Sequence, residues 1–185
     1  MNFNYNDSSK TVFEIVSDFL AEKKLVIASL DVNRPWGGFF VMDEKEANDF
    51  IAAFFPHLTN AQLNISGKLS PKILVVAPHK RLSWQYHHRR AEIWKLIGGE
   101  ATVMVSDTDE ENEIIILKKD DIIELKQGDR HRLIGTENWG VIAEIWRHTN
   151  ADFPSDENDI VRVQDDFGRA KLASLNPSRG GTFRL

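Results

Sequence analysis

The chain has 185 residues, 42% hydrophobic and 28% charged, which is enough to bury one core and excludes a disordered segment. A formal net charge of -5 argues against a nucleic-acid-binding face, and the absence of cysteine excludes disulfide frameworks and thiolate metal sites. No run approaches the ~20 apolar residues of a membrane helix, and no apolar stretch follows a basic N-terminus. A soluble, cytoplasmic protein with neither nucleic acid nor membrane as partner is therefore expected.

Residues 1–10 are polar and rich in Asn and Ser, the composition of a loose leader. Over 11–23, Val12, Ile15, Val16, Phe19 and Leu20 recur at helical spacing and predict one apolar helix face. Residues 25–32 are apolar and β-branched, a strand pattern, and Arg34-Pro35-Trp36-Gly37-Gly38 punctuates it before extended residues 39–42. A second helix fits 44–55 and stops at Pro56. From residue 72 the signal changes to short β-rich runs at 72–77, 92–97, 101–105, 113–117, 121–125 and 140–146. Each is bounded by Gly, Pro, Asp or Asn, as barrels and sandwiches require. The pattern predicts an all-β barrel at 69–175, carrying an N-terminal helix and strand elaboration at 1–68 and a loose tail at 176–185.

The chemistry concentrates in Leu82-Ser-Trp-Gln-Tyr-His-His-Arg-Arg-Ala-Glu-Ile-Trp94. On a strand over 82–87, Gln85 and His87 share a face, because strand side chains alternate. A turn through Arg89 and Arg90 would start a second strand at Glu92, opposite that pair. A fourth donor, His131, follows the run 121–125 and the turn residue Gly128. Two imidazoles, a carboxylate and an amide oxygen suit one divalent metal ion, zinc first, with Mn, Fe, Co or Ni as alternatives. Trp94 and Leu96 share the parity of Glu92 and should line the barrel. The acidic stretch 107–112 lacks the Gly and terminal Glu of a calcium loop and reads as a hairpin turn.

These segments resemble the two motifs of the cupin superfamily, a jelly-roll barrel with metal at its centre. More narrowly, they and Arg34-Pro-Trp-Gly37, Gly128-Asp-Arg-His-Arg-Leu133, Glu144-Ile145 and residues 159–169 are similar to one branch. That branch is the C-terminal isomerase domain of the type II mannose-6-phosphate isomerase and mannose-1-phosphate guanylyltransferase enzymes. The resemblance spans about 34–40 and 72–169. It places the metal ligands on Gln85, His87, Glu92 and His131, the hairpin arginine on Arg90, and a terminal Tyr-Gly-Arg on Phe167, Gly168 and Arg169. The sequence departs from the pattern at His79, Arg89, Ile93, Lys126 and Gly135. No glycine-rich nucleotide loop occurs in the first 70 residues, so guanylyltransferase activity is not implied.

The resemblance implies a metal-dependent sugar-phosphate aldose–ketose isomerase acting on a phosphorylated sugar. Arg90, between the ligands, is the candidate catalytic side chain, and Arg34, Arg132 and Arg169 are the candidate substrate anchors. Parity sets Arg132 apart: on a strand it would face opposite to His131. His88, a lysine and a water at the metal remain alternatives for the base. A non-catalytic sugar-binding or regulatory cupin and an iron-dependent cupin oxygenase are the competing functions. Cupins pair through barrel faces, and the apolar segment 25–30 suits strand addition, so a homodimer is expected.

Overall fold

Ser8 opens the first helix in the computed structural model, which describes residues 1–63 and 68–169. Its hydroxyl accepts the Thr11 backbone N–H at 3.1 Å, satisfying one of the donors a helix start leaves unpaired. Helix α1 (Ser9–Glu22) buries Val12, Phe13, Val16 and Leu20, while Ile15 and Phe19 flank that face half-buried. Strands β1 (Ile27–Arg34) and β2 (Gly37–Met42) form an antiparallel hairpin that turns at Pro35 and Trp36. A single 3-10 turn (Glu44–Glu46) leads into α2 (Ala47–Phe54) and then α3 (Asn60–Leu63).

The remaining elements are all strands: β3 (Lys72–Val76), β4 (Trp84–Tyr86), β5 (Arg90–Ser106), β6 (Ile114–Leu117), β7 (Ile122–Leu125), β8 (Arg130–His148) and β9 (Val161–Gln164). The main sheet runs β1-β2-β3-β8-β4-β9, with β5 bridging β8 to β6 and β7. Every pairing is antiparallel. This is the all-β barrel that the strand pattern predicts, in the jelly-roll form that the resemblance implies. Because β2 pairs with β3, the strands of the 1–68 segment extend the barrel's own sheet. The tail expected at 176–185 lies outside the described residues. Among the described residues, no helix is long and apolar enough to cross a membrane.

Two expectations need correction. The separate strands at 92–97 and 101–105 are one 17-residue strand, β5, and the run at 140–146 is the end of the 19-residue β8. Gly98 and Gly99 break the register of β5, not its direction: the β5–β8 ladder shifts on both sides of them and continues. Gly99 has φ +66°, and a Cβ there would lie 1.8 Å from the Trp139 carbonyl oxygen, so only glycine fits. The hairpin expected between 82–87 and Glu92 is also absent. Strand β4 pairs with β8 and β9, and β5 pairs with β6, β7 and β8.

Alternation along β3, β5 and β8 sorts two cores. Ile73, Val75, Ile93, Ile97, Val141, Ala143 and Ile145 pack outward against α1 and α2. Leu74, Val76, Trp94, Leu96, Leu133 and Ile142 fill the barrel interior. By the same parity Lys72, Glu92, Glu144 and Trp146 take interior positions, toward the end of the barrel where the site lies.

Candidate metal centre

His87 follows β4 directly and His131 stands near the start of β8, while Glu92 stands near the start of β5. Glu92 pairs with Trp146 at the far end of β8, so the curl of that one long strand carries it across the barrel to His131. His87, Glu92 and His131 are each at least 97% buried. Their ligand atoms all lie within 4.8 Å of one another.

Second contacts fix both imidazoles. A carbonyl oxygen can only accept, so Nδ1 of His87 donates to the Asp159 carbonyl, and Nδ1 of His131 donates to the Asp129 carbonyl at 2.9 Å. The Nε2 lone pairs are thereby turned inward. His87 Nε2 lies 3.1 Å from Glu92 Oε1, and His131 Nε2 lies 3.3 Å from Glu92 Oε2. Lone pairs converging on a carboxylate repel unless a cation stands among them. Arg90 supplies part of that charge, donating from Nε to Glu92 Oε1 at 2.7 Å and from Nη2 to His87 Nε2 at 3.1 Å. His131 Nε2 receives nothing, since it is buried with no hydrogen-bond partner among the described residues. That orphaned acceptor fits a metal ion, and so does a donor set of two nitrogens and a carboxylate.

The electrostatics agree. Burial lowers the His87 imidazole below its ordinary range, keeping it neutral as a ligand must be. Burial works to raise Glu92, but its cationic surroundings, the Arg90 guanidinium among them, outweigh it and hold the carboxyl well below the usual range. Trp94 Nε1 also donates to Glu92 Oε2 at 3.1 Å.

Gln85 stands beside this cluster. It is the register partner of His131 and lines the cavity above the ligands, with its Oε1 accepting from Ser83 Oγ at 2.6 Å. Arg90 is held from behind by Ser155 Oγ at 2.9 Å and the Asp156 carbonyl at 3.0 Å, and it stacks on Trp146. The loop carrying those partners also carries Asp159, whose carboxylate accepts from Ser155 Oγ and from the His88 and Arg89 backbone N–H groups.

A cavity of about 120 Å³ opens over Glu92, and the arginines divide around it. Arg34 and Arg169 line it, bonded to Asp31 and Asp165 respectively. Arg132 does not line it: fully buried, it bonds to Glu111 at 2.6 Å and to the Gln164 carbonyl. Four charged residues of the lining had been given no role from the sequence: Lys72, Glu144, Glu157 and Arg162. The signal for the first two was a charged residue at core parity within an apolar β-run. For Arg162 it was the Val-Arg-Val alternation of β9, which pairs Arg162 with Gln85. Among the described residues, the Arg162 side chain has no hydrogen bond and its Nε is buried without a partner. Burial and the charges of Arg169 and Arg34 lower its pKa, so the three guanidinium groups feel one another across the opening. Burial and then the charge of Glu92 raise the Glu144 carboxyl to about 7.

Residues 43–165 match the family described as Mannose-6-phosphate isomerase C-terminal. The mannose-1-phosphate guanylyltransferase ManC of Salmonella typhimurium is 28% identical over 163 residues, covering 88% of this chain and 27% of that protein. The alginate biosynthesis protein AlgA of Pseudomonas aeruginosa is 26% identical over 182 residues, covering 97% of this chain and 32% of that protein. The chain thus spans about a third or less of these relatives. Among solved structures, the capsular polysaccharide assembling protein CapF of Staphylococcus aureus superposes with a TM-score of 0.51 at 12% identity, over 74% of this chain and 34% of that one. Vicilin from Corylus avellana gives 0.50 at 19% identity, over 72% and 35%. These two structures bear on the fold alone, which is the cupin jelly roll.

Proposed function

The chain belongs to the Mannose-6-phosphate isomerase C-terminal family, and we propose that it is a metal-dependent aldose–ketose isomerase acting on a sugar phosphate. One juxtaposition carries the reading. Glu92, the centre of a buried His-Glu-His cluster, lines a cavity that Arg34, Arg162 and Arg169 also line, Arg162 being bonded to no carboxylate among the described residues.

In this reading His87, Glu92 and His131 hold the ion, and Gln85 joins as a fourth ligand by releasing Ser83. When bound, a divalent ion supplies Lewis-acid stabilisation of the negative charge that develops on a sugar carbonyl oxygen during enolisation. Arg90 keeps Glu92 oriented through its Nε bond to Oε1, while its Nη2 gives up His87 Nε2, whose one lone pair the ion would take. The phosphate end of the substrate meets Arg162, with Arg34 and Arg169 on either side, since planar guanidinium forks match phosphate oxygens two at a time. Trp36 and Phe39, stacked at 6.5 Å, wall the cavity and keep water from the reacting carbons.

The test joins two measurements. Elemental analysis of the protein as purified and after reconstitution should give one divalent ion per chain. The loaded protein should then interconvert mannose 6-phosphate and fructose 6-phosphate, or a related aldose and ketose phosphate pair. Stoichiometric metal with no turnover across such a panel would overturn the isomerase reading. Sugar-phosphate binding that raises Tm in that case would return the chain to a non-catalytic sugar-binding cupin.

A further inference from the structure

Three carboxylates line the cavity, and two of them are already committed. Glu92 belongs to the ligand cluster, and the exposed Glu157 is ion-paired with Lys72 Nζ. Glu144 is the third. It is 95% buried, lies on the interior face of β8, and is the register partner of Lys72 on β3. One of its oxygens, Oε1, accepts the indole N–H of Trp146. Among the described residues, no donor bonds its Oε2 and no ion pair engages the carboxylate. Lys72 cannot take this place as readily. Its ammonium is bonded to Glu157 and sits over the Trp146 ring at 4.1 Å and the Phe39 ring at 5.6 Å. His88 is exposed and rests edge-on against Tyr86. Of the described ionisable groups near the ligand cluster, Glu144 alone has a free oxygen, a fixed orientation and a place in the cavity wall.

We propose that Glu144 is the general base of the isomerisation, taking a proton from C2 of the aldose and returning it to C1 of the same molecule. This assignment rests on the isomerase reading above. In the first half, the C2–H bond breaks and its proton goes to the Glu144 carboxylate. Its electron pair forms the C1=C2 double bond while the C1=O1 π pair moves onto O1. A proton passes from O2 to O1. In the second half, the O2 electron pair closes the C2=O2 bond, the C1=C2 π pair takes the proton back from Glu144, and a C1–H bond forms. No oxidant or reductant enters. The indole bond to Oε1 holds the carboxyl plane, so the other oxygen is the one presented to the sugar. A base shielded from water in this way gives proton transfer efficiencies of about 10²–10⁴.

The test uses the full chain, loaded with metal, as wild type, Glu144→Gln and Glu144→Asp. Metal content and the Tm shift on adding mannose 6-phosphate report the site without reference to turnover. Turnover in deuterium oxide, followed by NMR of the recovered sugar phosphates, reports proton transfer at C1 and C2. Glu144→Gln should keep full metal and the Tm shift, lose about 10²–10⁴ in kcat with KM little changed, and stop incorporating deuterium. Glu144→Asp should recover part of both. A Glu144→Gln protein that turns over within about tenfold of wild type overturns the assignment and leaves the isomerase reading standing. A Glu144→Gln protein that loses metal or the Tm shift assigns the residue a structural role and equally overturns it. If the wild type neither turns over nor exchanges deuterium, the isomerase reading falls and this assignment falls with it.

Discussion

The two faces of β3, β5 and β8 are built from alternate residues of the same strands, yet they do different work. The outward face meets α1 and α2 through an apolar cluster that runs from Val12 and Phe50 to Ile73 and Ile145. The inward face is equally apolar through Leu96, Val103 and Leu133, then changes at one end to Lys72, Glu92, Glu144 and Arg90. Burying charge there opposes folding, so the outward layer must supply stability that the inward end consumes. The helices are therefore more than an ornament on the barrel: they complete the apolar layer that lets the other face bury charge.

The largest effect should come from breaking the stable face. Phe50 is 1% exposed and meets Phe54 edge-on at 4.9 Å. Phe50→Ala should cost about 3–5 kcal/mol in chemical denaturation, the usual range for a buried phenylalanine. Metal bound per folded molecule should stay unchanged. Loss of metal in the folded variant would show that the faces are not separable.

The next effect belongs to the inward end and runs with pH. The folded-state pKa of Glu144 is raised from 4.5 to about 7, so the folded protein holds that proton more tightly than the unfolded chain does. Its contribution is complete below about pH 4.5 and is lost as pH rises through 7. The difference of about 2.5 units corresponds to about 3.5 kcal/mol at most, since each unit is worth about 1.4 kcal/mol. Metal-free protein should therefore lose stability between pH 5 and pH 8, and Glu144→Gln should flatten that slope. Identical slopes for the two proteins would remove Glu144 as its source.

His131→Ala sharpens the contrast from the other side. It deletes a ligand, so metal affinity should fall at least about 100-fold, the upper end of what mere supporting contacts cause. It also deletes the unpaired Nε2, so the metal-free stability should fall less than it does in Phe50→Ala. A competition titration against a chelator and a denaturation curve measure the two numbers. Unchanged affinity would exclude His131 from the ligand set.

How far this division was visible in the sequence follows from distance along the chain. Gln85, His87 and Glu92 fall within eight residues, and alternation alone puts the first two on one face. The assumed hairpin was wrong, yet Glu92 still reaches the histidines, because interior parity is all that the cluster requires of β5. The departures from the family pattern turn out to lie off the ligands. Ile93 faces α1 and α2 in the outward core, and Arg89 clamps the 153–159 loop through the Pro154 carbonyl and the Phe153 ring. His79 takes φ +57° where glycine would sit without strain, and a Cβ at Gly135 would lie 2.1 Å from the Ala77 carbonyl oxygen. Arg132 behaves as its parity with His131 foretold, facing away from the cavity. No role for Glu144, Lys72 or Arg162 was legible, although Glu144 and Arg162 lie in segments that carry the family resemblance. The three lie on three strands, and only the register of β3 on β8 and of β4 on β9 brings them to one opening.

Arg162 gives the smallest effect and the finest cut between the faces. Its neighbours Arg34 and Arg169 each have a carboxylate partner, so an incoming phosphate must compete with Asp31 or Asp165 for them. Arg162 is bonded to no carboxylate among the described residues, and its buried Nε gains a first partner when an anion enters. Arg162→Ala should therefore raise KM for a sugar phosphate about tenfold, or ~1.4 kcal/mol, within the range of a charge-assisted hydrogen bond. Affinity for the metal should change little, because the Arg162 side chain bonds to no ligand side chain and its pairing with Gln85 is through the backbone, which the substitution keeps. Arg162→Lys should restore only part of the loss, since a point charge replaces a fork. Isothermal titration with sugar phosphate and with the same sugar unphosphorylated decides the matter. An Arg162→Ala protein that weakens both ligands equally would mean that Arg162 shapes the cavity wall, and the phosphate would have to be sought at another cation of the opening.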